Sequence, residues 1–179
     1  MKKNLGVLLV VFILAAQGLA IDGAKGLGKD KSKIELGYTG GAVGLAYDVG
    51  LSNDLTVYGS VYGSGTIGFG GGVKYAFLNE KNGSDFSLAG KLDLLLGGGT
   101  LFPVPGLVIS KKQNEMTLLG EVSTYSIGNI ASFTWIGVGG LWDFNRDMQF
   151  SALIGTSTIS ALGYRASSLG VGLGLNWIL

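Results

Sequence analysis

The sequence predicts an all-β chain closed into an antiparallel up-and-down barrel that crosses a lipid bilayer. Three observations carry that prediction. Apolar residues alternate with a period of two through most of the chain. The face opposite the apolar one is made of Gly, Ala and Ser with isolated charges. Polar clusters recur about every thirty residues.

The first segment, Met1 to Ala20, reads as a cleaved secretory signal peptide. Lys2 and Lys3 form a positive head, Leu5 to Ala16 an apolar run too short to span the bilayer as a helix, and Gly18-Leu19-Ala20 a small-residue cleavage site. Residues 21–32 are polar and rich in Gly, Lys and Asp, and read as a flexible lead-in. The barrel is expected over 33–179. Its polar clusters are Ser52-Asn53-Asp54, Asn79 to Asp85, Lys111 to Glu115 and Asp143 to Asp147. Two strands and two connections fill each interval. Gly- or Ser-rich breaks fall midway, at Gly40-Gly41, Gly63 to Gly65, Gly97 to Gly106, Ile127 to Asn129 and Ser157 to Ser168.

These breaks delimit ten strands, over 33–39, 42–51, 55–62, 66–78, 85–96, 101–110, 116–126, 131–142, 148–156 and 168–179. Mergers would give eight as the alternative, and the count is even in bacterial single-chain barrels. Within them Val43, Leu45, Tyr47 and Val49 alternate with Gly44, Ala46, Asp48 and Gly50; Leu169, Val171, Leu173, Leu175 and Trp177 alternate with Gly170, Gly172, Gly174 and Asn176. Successive strand side chains point to opposite faces. A soluble sandwich would give water a face of Lys, Glu, Thr and Asn. Here that face is small, and Glu35, Asp48, Lys74, Lys91, Asp93 and Glu121 fall on it. That suits a narrow closed interior, with the apolar face in lipid. A closed barrel satisfies every backbone amide between neighbours, which hydrocarbon requires. Tyr75, Phe77, Phe86, Trp142, Phe150 and Trp177, near strand ends, are candidates for an interfacial girdle.

Composition removes several function classes. With no His and no Cys, the usual nucleophile–base pairs and zinc sites are excluded. A near-neutral balance of 13 basic and 12 acidic side chains offers no basic patch for nucleic acid. Only 14% of residues are charged, against about 25% in soluble domains. No catalytic residue, metal site or cofactor is expected. Gly63-x-Gly65-x-x-Gly68 has the spacing of a dinucleotide loop, which must open a helix. The chain continues instead as "FGGGVKYAF", with Ile67, Phe69, Val73, Tyr75 and Phe77 on one face and Gly68, Gly70, Gly72, Lys74 and Ala76 on the other. The glycines are a hairpin turn and the inward row of a strand. Asn82-Gly83-Ser84 is read as a turn, in which Asn-Gly favours positive φ.

The leader, the strand pattern and the ending "GLNWIL" together resemble those of small bacterial outer-membrane β-barrel proteins. Gly174, Trp177 and Leu179 fit the terminal-strand signal that such proteins show to their assembly machinery; Gly172 stands where a polar residue is usual, and the last residue is Leu rather than Phe. The resemblance implies the outer membrane of a Gram-negative-type bacterium, with lipid and the assembly machinery as partners and a monomeric state. Two functions remain open. One is a non-enzymatic barrel with a structural or narrow passive-permeation role, in which Lys91, Asp93 and Glu121, at similar depth, either pair and fill the bore or line a pore. The other is surface binding or adhesion through loops 97–106 and 157–168.

Overall fold

The computed structural model describes residues 23–39, 42–63, 67–97, 100–127, 131–161 and 164–179. The leader proposed for 1–20 therefore lies outside the described residues, as do the predicted turns at Gly40-Gly41 and Ser64-Gly65, and Gly128 and Asn129 of the fourth.

Ten antiparallel strands form one closed barrel in chain order. They are β1 Ser32–Thr39, β2 Ala42–Gly50, β3 Leu55–Gly63, β4 Ile67–Leu78, β5 Ser87–Gly97, β6 Thr100–Gln113, β7 Met116–Ile127, β8 Ala131–Asp143, β9 Met148–Ala161 and β10 Tyr164–Ile178. Closure is made by β1 against β10, from Lys33↔Ile178 to Thr39↔Gly172. The ten-strand reading holds, and the eight-strand alternative falls.

One end of the barrel, the turn end, carries the polar clusters. Its connections include a single 3₁₀ turn, Glu80–Asn82, closed by Gly83 at φ +88°. The β6–β7 turn is made by Asn114 at φ +56°, a conformation that Asn tolerates and β-branched residues do not.

Two expectations are corrected. The stretches 97–106 and 157–168 are not long loops. Residues 100–113 are β6, and β9 and β10 run on to Ala161 and back from Tyr164. Pro103 and Pro105 misled because proline is rare within sheets. Here the ladder from β6 to β7 ends at Gly106↔Ser123, so both prolines lie where β6 is paired to β5 alone. The Ser/Thr run stays in strand because its side chains pair across the hairpin, Ser157 with Ser168 at 2.7 Å and Thr158 with Ser167 at 3.0 Å. The lead-in is also not free. From residue 23 onward it is docked inside the turn end.

Outward residues form an apolar belt. Leu36, Leu45, Val61, Phe69, Leu94, Leu107, Val122, Val138, Ile154 and Leu173, one on each strand, are all exposed. In water such a surface would be an aggregation hazard; in hydrocarbon it is the required exterior. All six girdle candidates stand at the turn end, with Tyr75 on Phe77 at 5.4 Å and Trp142 on Phe150 at 5.8 Å between ring centroids. Toward the opposite end of β7, β8 and β9 the outward residues change to Thr124, Thr134, Thr156 and Thr158, where the wall leaves the belt.

Candidate functional site

The site is the bore. Glu35, Asp48, Lys74, Lys91, Asp93 and Glu121 lie on the bore side of their strands, and the ladder brings them into two groups and one anchor. Lys33 bonds Glu35 at 3.2 Å and Asp48 at 2.9 Å, with all three side chains buried. Period two along β1 puts Lys33 and Glu35 on one face, and Lys33↔Asp48 are direct cross-strand partners. Lys91 bonds Asp93 at 3.1 Å and Glu121 at 2.6 Å. Ser123 donates to Glu121 at 2.9 Å, and Tyr58 donates to Asp93. Two carboxylates facing one ammonium satisfy a charge that would otherwise cost several kcal/mol to bury, on the order of the penalty per ion. Lys33, not singled out among the inward charges in the sequence, follows from the same parity as Glu35.

Glycine makes this network possible. A Cβ on Gly72 would stand 2.6 Å from the Tyr58 hydroxyl. Gly72, four residues beyond the pattern that imitates a nucleotide loop, is thus the seat across which Tyr58 reaches Asp93.

Lys74 has a different task. Its ammonium donates to the Gly23 carbonyl at 2.8 Å. The Ala24 amide donates to Ser110 Oγ at 2.9 Å and the Leu27 amide to Thr56 Oγ1 at 3.2 Å. Ala24 is 0% exposed and packs on Ala76, Ala89 and Val108. Further out, Asp30 donates to the Gly50 carbonyl and Gly50 to the Lys31 carbonyl. A Cβ on Gly50 would collide with the Gly28 carbonyl, and one on Gly26 with the Asn53 carbonyl. Residues 23–31 therefore stopper the turn end, and the fit depends on glycine in both partners. Lys25, in this stopper, has its pKa lowered from 10.5 by burial, with Lys81 and Lys112 adding to the effect.

The far side of the bore is filled differently, by apolar side chains. Leu119, Phe133, Trp135, Leu141 and Leu153 form a buried cluster, joined by Tyr125 and Ile159. The Trp135 ring lies on a bed of glycines: Cβ atoms on Gly137, Gly155 and Gly170 would come within 2.9, 2.7 and 3.1 Å of it. This apolar filling was missed in the sequence, where the inward face was expected to be small or polar. Buried polar atoms without a hydrogen-bond partner among the described residues are Asp48 Oδ1, Ser151 Oγ, both amide atoms of Asn176, and Trp135 Nε1. Three of these residues adjoin the ion pairs: Asn176 is opposite Glu35, Asp48 is opposite Lys33, and Ser151 is opposite Gly174. The charged side keeps unspent hydrogen-bonding capacity, which suits water.

Gly174 of the terminal-strand pattern faces inward between Ser151 and Glu35, Trp177 stands in the girdle, and Leu179 exchanges backbone bonds with Ser32 at the seam. Among the described residues, no group of three or more acidic side chains is placed to hold a metal ion.

A closed ladder, an apolar belt, an aromatic girdle and buried charges turned into the bore define the class: the chain is an outer-membrane β-barrel protein. No family model matches the sequence, and no curated protein matches it. Among solved structures it is similar to the KdgM porin, at 11% identity over 82% of this chain and 98% of that one, with a TM-score of 0.48. It is similar to the NanC porin at 10% identity over the same shares, with a TM-score of 0.43. It is also similar to the N-terminal β-barrel domain of Pseudomonas aeruginosa OprF, at 14% identity over 85% and 99%, with a TM-score of 0.35. The ladder and the belt define the class; likenesses this distant add nothing about what the bore admits.

Proposed function

We propose that the chain is a non-enzymatic barrel with a narrow passive-permeation path, held shut at the turn end by its own residues 23–31. The observation that supports this reading most is the grip of Lys74 on the Gly23 carbonyl, deep in the mouth. The path runs down the charged side, where Ser60 and Asp93 are only partly buried, and stops at Lys33, Glu35, Asp48 and the stopper. Solutes small enough to pass are water and single ions. About eight strands leave an interior that side chains can fill, and ten leave little more. Export on a leader cut after Ala20, and delivery to the assembly machinery through Gly174, Trp177 and Leu179, belong to the same reading.

The test is conductance in planar bilayers. The parent barrel is expected to be silent or to open rarely. Gly50→Ala, which drives a Cβ into the Gly28 carbonyl without touching a lumen charge, is expected to open it. If Gly50→Ala is as silent as the parent while the stopper is displaced, as judged by its cleavage by added protease, the permeation role is overturned. The barrel is then structural.

Surface binding keeps one observation in its favour. Among the described residues, β10 pairs with β1 only as far as Gly172, and no described strand lies beside Tyr164–Val171 on that side. An exposed edge can accept an added strand. Loss of cell or ligand binding on shortening the β9–β10 hairpin would support this second reading.

A further inference from the structure

The lipid-facing wall is not uniformly filled. A groove of about 370 Å³ crosses the outside of β7 to β10, lined almost wholly by apolar atoms. Gly140 and Ala152 form its low floor; Leu118, Trp142, Ile154 and Val171 stand around it. Four strands at about 4.8 Å spacing make it roughly 14 Å across the strands. It runs obliquely from the girdle into the belt, the course an extended hydrocarbon chain takes.

One end has a cation. Lys111 is directly opposite Leu118 in the β6–β7 ladder. Leu107 and Ile109 are exposed while Val108 and Ser110 are buried, so Lys111 shares the outward face. It has no ion-pair partner among the described residues, whereas its neighbour Lys112 is engaged by Asp143 at 2.6 Å. The other charges of this rim, Glu115, Arg146 and Asp147, sit in the turns. A lysine on the lipid face at girdle depth extends its stem along apolar surface and presents its ammonium at the headgroup level.

We infer that this groove is a site for one acyl chain of an anionic phospholipid whose phosphate is held by Lys111. The inference is independent of whether the bore conducts.

The test uses the protein reconstituted in dioleoylphosphatidylcholine bilayers, with brominated phosphatidylglycerol or brominated phosphatidylcholine added in steps. Bromine quenches tryptophan at contact, and the Trp142 signal is the difference between the parent and Trp142→Phe. Half-quenching is expected at about fivefold lower mole fraction of the phosphatidylglycerol, the effect of roughly one basic side chain at an anionic surface. Lys111→Gln is expected to bring the two curves together. Ala152→Phe, which fills the floor, is expected to do the same; a gel shift on boiling confirms that the variant is folded. Coincident curves in the parent, or an unchanged difference in Lys111→Gln, would overturn the site and leave ordinary annular lipid.

Discussion

On β1 to β5 the wall turns Lys33, Glu35, Asp48, Lys74, Lys91 and Asp93 into the bore, whereas on β7 to β9 it turns Leu119, Phe133, Trp135, Leu141 and Leu153 into the same space. Outside, the two sides carry the same apolar belt. The lipid thus constrains one face of every strand and leaves the other to be filled in more than one way. Glycine serves both sides, beneath Tyr58 on the first and beneath Trp135 on the second. The apolar side resembles a packed protein core, in which volume decides stability. The charged side is a network, in which pairing decides both stability and what can pass.

The largest effect that sharpens the comparison is expected from Trp135→Ala. Emptying the glycine bed should cost about 4 kcal/mol of unfolding free energy, within the usual range for a buried aromatic. Urea titration in lipid vesicles measures it. In the Gly50→Ala background the same change should leave the cation-to-anion permeability ratio where it was.

Lys91→Met comes next. It leaves Asp93 and Glu121 without their ammonium and is expected to cost about 3 kcal/mol. Adding Asp93→Asn and Glu121→Gln should restore most of it, since a neutral network no longer strands a charge. Here the permeability ratio should move. A cost below about 1 kcal/mol, as for an exposed pair, would mean that the charged side is bathed in water and not packed.

A smaller loss, about 2 kcal/mol, is expected for Gly155→Ala, because a Cβ there would collide with the Ile136 carbonyl and stand 2.7 Å from the Trp135 ring. Gly59→Ala, on the outward face of β3 with open space around it, is the matched control and should change stability little.

The smallest effect is one of pH. Lys25 titrates below its ordinary value of 10.5 when the stopper is docked, so its protonated form opposes docking. Its contribution to docking is complete above pH 10.5 and is lost as pH falls through the lowered value. Fewer openings, or slower proteolysis of residues 23–31, should be seen at about pH 11 than at about pH 8. Lys25→Met should show the alkaline behaviour at neutral pH.

Much of the fold was legible because a membrane barrel writes period two and turn chemistry directly into its sequence. Strand bounds at β2, β4 and β7 fall within a residue or so of the expected ones. Charged side chains fixed the inward face on β1, β2, β4 and β5, and Glu121 alone assigns the parity of β7, whereas Lys111 of β6 faces outward. No charge marks β8 before Asp143. In "SFTWIGVGGLWD" both faces carry large apolar residues, so Trp135 and Leu141 could not be told from the belt. The signal that could have found them is Thr134, which shares the parity of Ile136 and Val138 and marks where the outer face leaves the lipid. The docked stopper was illegible for another reason. It is held by backbone groups of Gly23, Ala24, Gly28 and Gly50. Such contacts leave only scattered glycines in the sequence, which look the same as glycines in a free tail.

The most direct test of a bore divided into a wet side and a packed side is thiol access. The chain has no cysteine, so single substitutions report without background. Ser60→Cys on the charged side and Leu153→Cys in the apolar cluster would be exposed to a small membrane-impermeant thiol reagent in vesicles opened at both faces. Modification of Ser60→Cys within minutes, with Leu153→Cys protected until the barrel is unfolded, is the expected result. Equal rates at the two positions would contradict the division.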